Sequence, residues 1–150
     1  MPQSLARCAV HLDWSTRDRE PFLHESIRPR VYELLKAAAY KLESPCIGIG
    51  GVDDHVHMLV LQSRNVALKD LVGKIKSGSS SRIKDLHKRC GGFAWQAGYG
   101  AFSISPGHEK SLLEYFARQE EHHRRVTFQE EFLRLLRRYD IPFDERYVWD

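Results

Sequence analysis

The sequence is short of the features that mark several protein classes. It has three cysteines in 150 residues, Cys8, Cys46 and Cys90, an odd number at long spacings with no CxxC pair. Neither a zinc knuckle nor a disulfide framework is indicated, and that usage suits a reducing cytoplasm. No apolar run approaches the roughly 20 residues needed to span a bilayer. Met1 to Arg7 also lacks the apolar core of a secretory leader. A cytoplasmic protein with no membrane partner is expected. With no internal repeat and no linker, one domain over residues 1–150 is the economical reading.

What is present is an ordinary globular mixture, 42% hydrophobic and 29% charged. A chain of this length can bury roughly two-thirds of its unfolded surface, so folding needs no metal or disulfide. A net charge of +3 and a pI near 8.8 are too mildly basic to argue for nucleic acid by themselves. The distribution says more. Lys69, Lys74, Lys76, Arg82, Lys84, Lys88 and Arg89 crowd one stretch, and Arg118, Arg124, Arg125, Arg134, Arg137 and Arg138 populate the last helical segments. Solvated helix faces and DNA-facing surfaces both account for such clusters.

Along the chain, Cys8 to Trp14 alternates, with Val10, Leu12 and Trp14 on one side and Ala9, His11 and Asp13 on the other, which predicts a strand. Ser26 to Leu42 carries apolar residues at three- and four-residue spacing, an amphipathic helix stopped at Ser44-Pro45. Cys46 to Val52 and His55 to Leu61 flank Asp53-Asp54 and predict an antiparallel hairpin. Asn65 is placed to cap a helix whose weak stretch, Ser77 to Ser81, leaves it either long or broken. Ala101 to Ile104 predicts a short strand, Ser105-Pro106 the start of a helix reaching about Arg125, and Thr127 to Glu130 a capping box opening a final helix. The first six elements match a ferredoxin-like (RRM-like) split βαβ arrangement of α+β class. A four-stranded antiparallel sheet carries helices on one face, with C-terminal helices added.

Two polar constellations stand out. His55 and His57, two apart on a strand, project to the same face and offer a pair of metal ligands, although hydrogen-bonded structural histidines have the same pattern. On a continuous helix from Pro106, the residues His108, Ser111, Tyr115, Gln119 and His122 fall within about 40° of one meridian. That stripe is either a solvated face or a site. A tyrosine hydroxyl is a poor nucleophile at neutral pH without assistance. A divalent cation held by two histidines and the amide oxygen of Gln119 would polarise a phosphodiester beside Tyr115. Tyr99, the competing tyrosine, has no amide one turn away, and Asp54 reads as a turn residue.

Asp54-His55-Val56-His57, the block from Phe93 to Ser103 and the run Tyr115-Phe116-Ala117-Arg118-Gln119-Glu120-Glu121-His122-His123-Arg124-Arg125 together resemble the single-tyrosine HUH transposases of bacterial insertion sequences. These are the IS200-like transposases, which include REP-associated tyrosine transposases. The resemblance implies a DNA transposase that cuts and rejoins single-stranded DNA through a 5′-phosphotyrosine intermediate, with Tyr115 as nucleophile. His55, His57 and Gln119 would hold Mg2+ or Mn2+, and the partners would be DNA hairpins at element ends and a second copy of the chain in a homodimer with composite sites. His11, Asp13 and His122 are candidates to stand behind the ligands. Lys74, Lys76, Ser79, Arg82 and Trp95 are candidates to contact DNA, core packing being the competing role for Trp95. A domesticated relative that processes dispersed palindromes and a catalytically silent single-strand-binding module are the alternatives.

Overall fold

The computed structural model describes residues 2–150. The alternating N-terminal run forms β1 (Cys8–Ser15), the hairpin forms β2 (Cys46–Gly51) and β3 (His55–Gln62), and β4 (Gly100–Ser103) completes the sheet. Helices α1 (Arg28–Lys41) and α2 (Leu68–Lys84) are interleaved with the strands; α3 (Glu109–Ala117), α4 (Gln119–His123) and α5 (Phe128–Arg138) follow β4. The strand order is β2-β3-β1-β4 with every neighbour antiparallel, the arrangement expected of the split βαβ sheet.

Period-two geometry sends Val10, Leu12 and Trp14 of β1 and Val56, Met58 and Val60 of β3 to one face. There they pack on Val31, Leu35 and Ala39 of α1 and on Leu71, Val72, Ile75 and Ile83 of α2. The opposite face is buried as well, covered by the added C-terminal helices. Ala9 and Leu59 pack with Phe116 of α3, while Phe102 joins Phe128, Phe132 and Leu136 of α5. Trp149 and Val148 lie against that second cluster, and the Gly98 N–H donates to the Asp150 carbonyl at 2.7 Å. The aromatic C-terminal segment is therefore docked.

Three local expectations are resolved by hydrogen bonding. Helix α2 runs unbroken through its serine-rich stretch, where Ser79 Oγ donates to the Ile75 carbonyl and Ile83 keeps the buried stripe going. Its N-terminal residue position is held by Ala67 without a side-chain cap, because Asn65 lies in the preceding turn, its N–H donating to Ser63 Oγ. Thr127 caps α5 as the sequence predicts, accepting from the Glu130 N–H at 3.2 Å.

The helix expected from Pro106 to Arg125 is instead interrupted. A single 3-10 turn at Pro106–His108 leads into α3, and Arg118 then leaves helical geometry (φ −103°, ψ 15°) before α4 begins. Gln119 consequently opens a new helix and does not lie on the Tyr115 meridian of a straight one.

Gly50 on β2 sets how closely α3 approaches the sheet. A Cβ there would lie 2.5 Å from the Phe116 carbonyl oxygen, so α3 would have to retreat. Gly50→Ala is expected to lose about 1–3 kcal/mol of stability, the usual range for overpacking. An unchanged urea midpoint would show instead that α3 yields freely.

Candidate metal and nucleophile site

The site is built on the second face of the central strand pair. Register places Asp13 opposite His57 and Ser15 opposite His55, and all four side chains are buried. His55 Nδ1 donates to Asp54 Oδ1 at 2.7 Å, so Asp54 orients the imidazole in addition to making the turn. His57 Nδ1 lies 2.8 Å from His11 Nε2 and 3.6 Å from Asp13 Oδ1. His11 and Asp13 thus stand directly behind His57, on the face that alternation assigns them.

The interruption at Arg118 turns Gln119 inward. Its Oε1 reaches 3.1 Å from His55 Nε2, and its own side chain is buried. Arg28 fastens this corner from an almost buried position. Its guanidinium donates to the Leu23 carbonyl, to Asp53 in the hairpin turn and to Glu120 on α4. Tyr115 comes from the last turn of α3, its ring 5.9 Å from that of His57. Both halves of the expected site therefore meet within one chain.

At the centre stands a residue that the sequence reading passed over. Glu131, 3% exposed, enters from α5 with Oε1 3.0 Å from His57 Nε2 and 3.4 Å from His55 Nε2. Its Oε2 accepts from the Tyr115 hydroxyl, lies 3.1 Å from His123 Nε2 and is 3.4 Å from Gln119 Nε2. A signal was available: Glu131 falls three residues after Phe128 and four before Leu135, a charge in the middle of an apolar helical stripe. His123 was likewise overlooked beside His122. His122 Nε2 comes within 3.2 Å of Glu131 Oε2 but makes no hydrogen bond, so His123 is the better-oriented of the two.

The donors and acceptors do not balance without an added positive charge. His123 Nδ1 faces the Val126 carbonyl at 2.7 Å and must carry its hydrogen there, which leaves the Nε2 lone pair aimed at Glu131. The same reasoning applies to His55, whose Nδ1–H is engaged by Asp54 and whose Nε2 faces the oxygens of Gln119 and Glu131. Neutral, these rings would set lone pair against lone pair.

A proton or a cation resolves the conflict. Burial pulls the His55 pKa down, but hydrogen bonds to Asp54 and Glu131 and the field of Asp13 outweigh it and raise the value to about 10. Burial also opposes ionisation of Glu131, yet hydrogen bonds from His123, His55 and His57 hold its carboxyl far below the usual range. Burial first, then the Glu131 charge, makes the Tyr115 hydroxyl much less acidic than a free phenol. Desolvation pushes Asp13 up to about 6 and His11 well below its ordinary value.

The same atoms fit a divalent cation. Two ligands each about 2.1 Å from a metal and at right angles are roughly 3.0 Å apart. The spacings among His55 Nε2, His57 Nε2, Gln119 Oε1 and Glu131 Oε1 include 3.0, 3.1 and 3.4 Å. His55, His57, His123 and Glu131 present ligand atoms all within 4.8 Å of one another.

The expected DNA-contacting residues divide. Lys74 and Arg82 are exposed. Trp95 is not available for stacking, because it packs edge-on against Trp14 and Phe93 and donates its indole N–H to Ser79 Oγ. Ser79 is itself buried. Lys76 is half-buried, with Nζ donating to the carbonyls of Gln96, Ala97 and Gly98, and its pKa is lowered to about 8 by burial. Tyr99 sits under the Lys76 ammonium, away from the histidines. An open groove of about 790 Å³ runs past Asp54 and His123; its charges are mixed, Arg19, Arg28 and Arg124 alternating with Asp18, Glu25, Asp53 and Glu120. No helix among the described residues is long and apolar enough to cross a membrane.

Residues 4–119 match the family model for IS200-like transposases. The fold is similar to a candidate transposase from Deinococcus radiodurans R1, with 20% identity, 79% of this chain and 98% of that chain covered, and a TM-score of 0.62. It is also similar to a REP-associated tyrosine transposase bound to a REP hairpin, with 11% identity, 84% of this chain and 74% of that chain covered, and a TM-score of 0.60. At these identities the structural likeness is one of fold. No curated protein sequence matches the chain. The family match ends at Gln119, so His122, His123 and Glu131 lie beyond it.

Proposed function

Because the chain belongs to the IS200-like transposase family, we propose that it cleaves and rejoins single-stranded DNA by transesterification at Tyr115, with His55, His57 and Gln119 holding Mg2+ or Mn2+. The observation that carries the proposal is the convergence of one tyrosine hydroxyl with a set of buried nitrogen and oxygen lone pairs that require a positive charge among them. Bound there, the cation would neutralise charge developing on the phosphate.

The protein residues supply the rest. Tyr115 sits on the last turn of α3, its ring against His57 and its hydroxyl bonded to Glu131, so its oxygen is positioned before substrate arrives. As the Tyr115 Oη–P bond forms, the P–O3′ bond breaks. The phenolic proton leaves toward solvent, and the departing 3′ oxygen takes one up as a free hydroxyl. The product is a 5′-phosphotyrosyl ester, which a DNA 3′-hydroxyl can attack to rejoin a strand. Asp54 and His11 keep the imidazoles turned so that each Nε2 faces the reacting centre. Arg19 and Arg124 along the groove would meet the phosphate backbone, as would exposed Lys74 and Arg82.

Family membership and the fold shared with a transposase bound to a REP hairpin support a hairpin-bearing DNA substrate. The family resemblance also favours a homodimer, although Tyr115 reaches the histidines of its own chain here. The test is to incubate the protein with single-stranded, hairpin-bearing oligonucleotides taken from DNA flanking its gene. With Mn2+, a covalent protein–DNA adduct is expected on a denaturing gel, and with a chelator none. Absence of an adduct with every such strand would favour a module that binds DNA without cutting it.

A further inference from the structure

Resting on the proposed metal-assisted chemistry, we propose that Glu131 is an additional, anionic ligand of the cation, delivered by α5, so that metal binding fastens the C-terminal helix onto the sheet. Three observations carry this. Glu131 Oε1 stands 3.0 Å from His57 Nε2 and 3.4 Å from His55 Nε2, close to the separation of adjacent ligands around one ion. The carboxylate is buried on an otherwise apolar helix face, an expensive position that a charge occupies only when paired or coordinated. Lone pairs of His55 and His123 face it, and the Gln119 amide oxygen faces His55 Nε2, so a bound ion would satisfy together groups that oppose one another when neutral.

The carboxylate is a poor candidate for the alternative role of general base. Both of its oxygens are already shared among His55, His57, His123 and Gln119, which leaves it little capacity to take up the Tyr115 proton. As a ligand it has a second consequence. Oε2 accepts from the Tyr115 hydroxyl, so the carboxylate holds the nucleophile as a neutral donor. Sharing the carboxylate charge with a cation would weaken its hold on Tyr115, linking metal loading to release of the nucleophile. A set combining imidazoles with one carboxylate suits Mn2+ better than Mg2+, which prefers oxygen ligands and water.

The test uses the full chain without DNA and Mn2+ alone as the probe, read by calorimetric titration near pH 8. Glu131→Gln is expected to weaken Mn2+ binding at least tenfold, and His57→Ala to abolish it. Wild-type Mn2+ binding should also slow amide exchange in residues 128–138 as well as in β3, a measurement that does not depend on how any variant folds. Equal Mn2+ affinity in wild type and Glu131→Gln would overturn the assignment, as would protection confined to β3; in either case loss of binding in His57→Ala would leave the transposase reading standing. A wild-type chain that binds no Mn2+ would overturn both the Glu131 assignment and the metal-assisted chemistry. A Glu131-dependent Mn2+ site in a protein that never forms a DNA adduct would support the ligand assignment while counting against transesterification.

Discussion

Tyr115→Phe is expected to form no covalent DNA adduct and to reduce strand cleavage by roughly four orders of magnitude or more, the scale on which removal of a nucleophile acts. The substitution keeps the ring and removes one hydroxyl, whose partner Glu131 retains contacts with His57, His123 and Gln119. Losing a hydrogen bond to an ionised carboxylate costs about 1.5–3 kcal/mol. The variant should therefore melt roughly 3–12 °C below wild type in chelator while still unfolding cooperatively, which separates loss of the nucleophile from loss of the fold. Tyr99→Phe serves as the control: it lies under Lys76, away from the histidines, and should form adduct at the wild-type rate. An adduct that survives Tyr115→Phe and disappears with Tyr99→Phe would assign the nucleophile to the other tyrosine.

In chelator the protein should lose stability as pH rises from 7 to 10, opposite to the acid sensitivity usual for carboxylate networks. His55 has its folded-state pKa raised to about 10 from an ordinary 6.5, because Asp54 and Glu131 favour the imidazolium strongly enough to overcome burial. A raised value means that the protonated ring stabilises the fold fully below pH 6.5 and that this contribution is lost as pH climbs through 10. The shift corresponds to several kcal/mol, of which about 3 kcal/mol is a fair share once the overlapping benefit to Glu131 is discounted. For a chain of this size that is about 6–12 °C in melting temperature.

Neighbouring groups bound the window. Asp13, pushed up to about 6 mainly by burial, contributes below pH 3.8 and has lost that contribution by about pH 6. Glu131, held low, contributes fully above its ordinary value of 4.5 and loses this progressively as pH falls below it. His11, held well below 6.5 by burial, opposes folding at lower pH and offsets the Asp13 decline, so the metal-free optimum should lie between about pH 4.5, where the Glu131 contribution is complete, and 6.5, where the His55 contribution begins to fall. Saturating Mn2+ should flatten the alkaline decline, because a cation replaces the proton between His55 and Glu131. Unperturbed histidines would compete with a metal only below about pH 6; with His55 raised to about 10, Mn2+ affinity should keep rising above neutral pH. A melting temperature constant from pH 6 to 10 in chelator would remove His55 from the centre of this network.

Much of this was readable along the chain because it depends on local regularities. Alternation in β1 and the spacing of His55 and His57 establish which side chains share a sheet face, since the period of a strand is two whatever lies above it. The capping box at Thr127 and the acidic turn at Asp53-Asp54 act through backbone geometry within a few residues and were legible for the same reason. The Asp54-His55-Val56-His57 block and the Tyr115 run carried enough identity to point to the family. Helix propensity was less informative. It could not choose between a continuous and a broken α2, where burial of Ile75 and Ile83 prevails, and it did not foresee the interruption at Arg118.

The second layer of helices came from packing between segments far apart in sequence. Periodicity shows that α5 has an apolar side, but not that this side closes over His55 and His57 and carries Glu131 into their midst. Nor could composition distinguish Trp95 as a core residue from Trp95 as a base-stacking platform; its place between Trp14 and Phe93 settles that. Local patterning specifies which face of each element is apolar because that depends on a repeat of two or 3.6 residues. Which polar atoms meet across those faces depends on the docking of α3, α4 and α5, a long-range outcome of shape and buried charge. Through it, His55, His57, Tyr115 and Gln119 acquired Glu131 at their centre.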